Sequence, residues 1–156
     1  TIIYRLKKKL QCIYAPPFHI SENIDLNSPA FVIEMNNEIN QVMGIGLIKN
    51  KPITDKKYKV QADSNCNRYI YIGEYHISRE ILEDYNPFLI YVLDEILFKG
   101  KTHSKRGSGL TKIPEKLTYS QNECDILRYN TTSISAKGPM ESFPSLAGGT
   151  MPIMRM

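Results

Sequence analysis

Apolar positions alternate with a period of two in some stretches of this chain and recur at three and four in others, so strands and helices are both expected. Residues 31–35 form an apolar run with Glu34 as its polar member, and residues 42–48 form a second. Asn36 and Asn37 lie between them and tolerate the left-handed turn region, which makes the pair a predicted β-hairpin. In the second run Met43, Ile45 and Leu47 share one face, and Gly44 and Gly46 share the other. Glycine at alternate strand positions leaves a bare strip that another chain or a ligand can approach closely; the alternative is barrel curvature or a bulge.

Residues 68–72 predict a further strand, with Tyr69 and Tyr71 on one face, Ile70 and Ile72 on the other, and Gly73 closing it. Tyr58 to Val60 is a shorter strand candidate. Residues 1–14 fit a short helix or a strand equally, and Ala15-Pro16-Pro17 ends them. Ser78 is placed to cap a short helix through Leu82. Asn86-Pro87 is a strong helix start, followed by Phe88, Leu89, Val92, Leu93, Ile96 and Leu97 at helical spacing, with Gly100 at the C-cap position. A last helix is expected from Pro114 to about Leu127, with Glu115 near its N-terminal dipole.

These elements predict one α+β domain over residues 1–130: a small, mostly antiparallel sheet or partial β-barrel packed by the 87–99 helix. Residues 131–156 are rich in Ser, Thr, Gly, Pro and Met. They cannot bury a core of their own, so an extended C-terminal tail is expected, flexible or ordered by a partner.

Composition constrains the function. The 156 residues suit one ordinary domain, and 42% hydrophobic content is enough for a core. Lys and Arg exceed Asp and Glu by only 20 to 16, so the position of the charges matters more than their sum. Cys12, Cys66 and Cys124 form no CxxC or Cys/His pair; reduced structural cysteines are expected, as in the cytosol or nucleus, with no zinc site. No apolar run approaches the roughly 20 residues of a bilayer span. Lys7-Lys8-Lys9 are not followed by an apolar segment of a signal peptide.

The most unusual stretch is 99–112. It holds Lys99, Lys101, Lys105, Arg106 and Lys112, together with His103 and no acidic residue. Gly107 and Gly109 keep it loop-like and allow close backbone approach, so a phosphate backbone is the expected ligand; a solvated surface loop is the alternative. It is not a P-loop, because Gly100-Lys-Thr has no glycine five residues earlier. Tyr69 and Tyr71, with Arg68, are auxiliary candidates for stacking bases, against ordinary core packing of tyrosines. Gly44-Ile-Gly46 precedes a Lys-Asn-Lys-Pro turn rather than a helix, which excludes a dinucleotide fingerprint. His19, His76 and His103 are scattered, no Ser lies in a GxSxG elbow, and Cys66 beside Arg68 has no specified base. A non-enzyme without cofactor or metal is expected.

Residues 31–50, 67–73 and 97–109 together resemble an uncharacterised protein family of the large nucleocytoplasmic DNA viruses. Strand order resembles, more loosely, the PUA-like group with its EVE and YTH domains, small β-barrels that bind modified or structured nucleic acid. No Trp is present to form a YTH-type aromatic cage. The viral family carries no established activity; with the basic 99–112 loop, the expectation is a non-catalytic nucleic-acid-binding module of a large DNA virus, acting in the host cytoplasm or nucleus, with the virion as a further location. Its alternative is a minor capsid or other virion component, whose residues 131–156 bind capsid neighbours and whose basic loop meets an acidic protein surface.

Overall fold

In a computed structural model of the chain, residues 5, 8, 10–54, 58–62, 65–99, 103, 105, 109–114 and 152–156 are described. Strand β1 is Cys12–Tyr14, β2 Pro29–Asn36, β3 Gln41–Lys49, β4 Tyr71–Gly73 and β5 Tyr75–Ser78. Helices α1 (Arg79–Tyr85) and α2 (Pro87–Phe98) follow, then β6 (Thr111–Lys112) and β7 (Ile153–Arg155). A five-stranded sheet has the order β5-β3-β2-β7-β6, and β1 pairs with β4 in a two-stranded ribbon. The fold is α+β with an open sheet, not a closed barrel.

The hairpin forms where the two apolar runs predict it. Its left-handed residue is Asn40, with φ of 58°, while the Asn36 side chain accepts from the Glu38 amide. The register shifts between Glu34 and Met35, because Met43 is an extra residue on β3. The bulge rotates Val42 onto the face that carries Ile45 and Leu47, so Val42 joins that core. Helix α2 also follows its sequence signals. The Asn86 side chain accepts from the Leu89 amide at 3.1 Å, Pro87 opens the helix, and Leu89, Ile90, Leu93 and Leu97 are buried.

The sheet separates two cores. On one face Phe31, Ile33, Leu47 and Ile77 pack against Leu82 of α1 and the buried stripe of α2. On the other, Ala30, Val32, Ile48 and Met154 meet Cys12 and Tyr14 of β1, Tyr71 of β4, and Ile20, Ile24 and Leu110. A third cluster backs the ribbon with Ile13, Ala15, Val60 and Ile70. The predicted division of the 68–72 segment therefore holds: Tyr69 and Tyr71 face the second core, Ile70 and Ile72 the third.

Several elements differ from expectation. Regular strand in 68–72 is limited to β4, with Ile70 bridging Ile53. Residues 58–60 form no strand; the Val60 amide is held instead by the Asn67 side chain at 2.8 Å. Of the tail at 131–156, residues 152–156 are described, and Ile153–Arg155 are part of the sheet. Strand β7 runs parallel to β2 and antiparallel to β6, and Met154 is fully buried. Ile153 and Met154 alternate onto opposite cores, so this short strand is packed from both sides. The helix expected at 114–127 lies outside the described residues from position 115 onward.

Candidate nucleic-acid interface

Pro16 and Pro17 end β1 and turn the chain across the ribbon side of the molecule. The Tyr69 amide donates to the Pro16 carbonyl at 3.4 Å, which ties the approach to β4 to this turn. The rings of His19 and Tyr69 meet edge to face at 5.6 Å, and the exposed Arg68 guanidinium stands 5.7 Å from the Tyr69 ring centre. Phe18, beside His19, is 64% exposed. His19, the partly buried Tyr69 and Arg68 thus meet at one place, with Phe18 exposed next in sequence; aromatic rings beside a cation are the combination that single-stranded nucleic acid exploits by stacking and charge.

The end of the 99–112 segment reaches the same turn. Gly109 has φ of +80°, and a β-carbon there would stand 3.3 Å from Pro16 and 3.4 Å from Pro17. The following Leu110 is buried beside Ile20 and Tyr71, so the loop is anchored at this point. Tyr69 and Gly109, far apart in sequence, therefore both meet the Pro16–Pro17 turn.

The other predicted residues are placed as follows. Lys105 is half-buried and Lys112 is exposed on β6. Lys99 is exposed and paired with Glu95 one turn earlier on α2; that carboxylate raises its pKa and offsets its charge. Lys101, Arg106 and Gly107 lie outside the described residues. Tyr71 is a correction. It is fully buried, and its hydroxyl accepts from the Ile20 amide at 3.0 Å, so its ring is not available to stack a base. Phe18 and His19, which sequence pattern did not single out, are exposed where Tyr71 is not; their only signal was a position just after the Pro-Pro break.

A second polar assembly lies inside, between sheet and ribbon. Three groups approach Glu34 Oε1: Arg5 Nη1 at 3.0 Å, the Tyr14 hydroxyl at 2.9 Å and His76 Nε2 at 3.2 Å. The glycine strip makes this possible. A β-carbon on Gly46 would stand 2.0 Å from the Tyr14 hydroxyl, and one on Gly44 would stand 2.9 Å from His76 Nε2. The segment that approaches the bare backbone belongs to this chain itself. Burial pushes the Glu34 carboxyl up, but His76, Arg5 and the Tyr14 hydroxyl outweigh it and leave the pKa below the ordinary 4.5. Burial pushes the Cys12 thiol up to about 11 and raises Tyr14 well above its usual value, so both stay protonated at neutral pH. Neither is an activated nucleophile. The assembly fastens β1 to the sheet.

Among the described residues, no three His, Cys, Asp or Glu side chains gather as a metal site requires, and no helix is long and apolar enough to cross a membrane. No family model, curated protein or solved structure matches the chain.

Proposed function

We propose that the protein is a non-catalytic nucleic-acid-binding module that receives a single-stranded segment on the surface formed by Phe18, His19, Arg68 and Tyr69. The basic segment leading to Gly109 supplies phosphate contacts. One observation carries this reading: Gly109 packs on the turn that bears the aromatic residues. Bases would stack on Phe18 and Tyr69, at about 1–3 kcal/mol per base, while Arg68 and Lys105 meet phosphates. The large-DNA-virus origin and the PUA-like likeness are part of this proposal; they rest on the residue blocks and strand order in which they were found. A virion role for the tail has less support, because residues 153–155 already pair within this chain's own sheet.

Fluorescence anisotropy with labelled oligo(dT) and oligo(rU) across a salt series tests the reading. Affinity should fall as a power of salt concentration. Arg68→Ala with Lys105→Ala should reduce that slope by about 1.4, near 0.7 for each lost contact with a single strand. Phe18→Ala should weaken binding with the slope unchanged. Salt-insensitive binding, unaltered in these variants, would overturn the proposal.

A further inference from the structure

Helices α1 and α2 cover the face of the sheet opposite the ribbon, and among the described residues several large apolar side chains on their outer surface are exposed. Ile81, Tyr85, Phe88 and Tyr91 are 40–59% exposed. Ile81 and Tyr85 are four residues apart on α1, and Phe88 and Tyr91 three apart on α2, so each pair forms a stripe on its helix. Leu82 on one helix and Leu89, Ile90, Val92 and Leu93 on the other take the inward positions. Only Asn86 separates the helices, so Tyr85 and Phe88, one from each stripe, flank it closely along the chain. The other large apolar side chains exposed among the described residues, Phe18, Leu26 and Ile39, are scattered over separate loops. Isolated exposed apolar residues need no explanation; three aromatics and an isoleucine within residues 81–91 do.

Charge identifies the occupant. In a chain of net charge +4, the two helices carry Glu80, Glu83, Asp84, Asp94 and Glu95 against a single cation, Arg79. Arg79 is already engaged, with Glu83 at 2.6 Å and Asp94 at 3.0 Å. Glu80 and Asp84, exposed beside Ile81 and Tyr85, form no ion pair with any described residue. The Ser78 side chain hydrogen-bonds Glu80 and lowers its pKa, which favours the ionised form. A second copy meeting this face symmetrically would set like charges against each other. Nucleic acid and an anionic lipid surface are repelled for the same reason.

We infer that the outer face of α1 and α2 docks a lysine- or arginine-bearing amphipathic segment of a partner protein. Its apolar side chains meet Ile81, Tyr85, Phe88 and Tyr91, and its cations meet Glu80 and Asp84. This surface lies across the sheet from the proposed nucleic-acid interface and does not depend on it.

The probe is a labelled leucine–lysine peptide that folds as an amphipathic helix, with a scrambled peptide of equal charge and composition as control. The intact protein should bind the helix at least about tenfold more tightly than the scramble. Phe88→Ser with Tyr91→Ser should reduce binding to the scrambled level without lowering the melting temperature, because both side chains are exposed. Glu80→Gln with Asp84→Asn should weaken binding and flatten its salt dependence, with the apolar face intact. Equal affinity for both peptides would overturn the inference. So would a concentration-dependent dimer in sedimentation equilibrium that Phe88→Ser with Tyr91→Ser abolishes, because a second copy would then be the occupant.

Discussion

Replacing Gly46 with alanine is the sharpest test of how β1 sits on the sheet. In an ordinary strand interior this change stabilises, because glycine is worse than alanine there by roughly 0.5–1 kcal/mol. At Gly46 the added methyl would stand 2.0 Å from the Tyr14 hydroxyl and 3.0 Å from Cys12 Sγ. Tyr14 cannot swing away without losing its 2.9 Å bond to Glu34, and it is 1% exposed. Overpacking of this kind costs about 1–3 kcal/mol, so the net sign should invert to a loss of about 1–2 kcal/mol. Urea unfolding should show a lower midpoint at unchanged slope, and melting should fall by roughly 2–4 °C per kcal/mol. Tyr14→Phe removes the clashing oxygen and leaves the ring carbon at 3.0 Å. In that background Gly46→Ala should cost less, which gives a favourable coupling in a double-mutant cycle. A neutral or stabilising Gly46→Ala, or the same cost in both backgrounds, would refute the placement of β1.

Two further outcomes follow from the same geometry. Met154→Ala should destabilise the protein by about 2–5 kcal/mol in urea unfolding, since this side chain is fully buried between sheet and ribbon; a dispensable end of the chain would show no change. Glu34 has a lower pKa folded than its ordinary 4.5, so its contribution to stability is complete above that value and is lost as the pH falls below it. Unfolding midpoints measured from neutral to acidic pH should therefore drop below about pH 4.5, and Glu34→Gln should flatten that part of the profile.

The hairpin and α2 were legible because local chemistry agrees with the final packing: alternating residues on β3, and an Asn-Pro start with a stripe at three and four on α2. Strand β7 was not legible. Three residues after a Ser- and Gly-rich stretch show no periodicity, and their strand character comes from β2 and β6, which flank them. The glycine strip was legible as a bare surface, but not its occupant. Nothing in residues 1–14 ties Tyr14 or Arg5 to Glu34; only the β1–β4 pairing and the packing of the ribbon do. The aromatic half of the proposed interface was half legible. Tyr69 and Arg68 were found from strand pattern, while Tyr71, on the same face, went into the core because Ile20 closes over it.

Because β7 lies between β2 and β6, its pairing Phe31↔Ile153 joins residues 122 positions apart in sequence (153 − 31). Such a parallel contact forms late, since the entropy of closing a very long loop is lost before the contact repays it. During synthesis the hairpin can close as soon as residue 49 is free, yet the free side of β2 stays open until residue 155 has emerged. For that interval β2 presents an unpaired row of amides and carbonyls, the moment when mispairing with another nascent chain competes most strongly with folding.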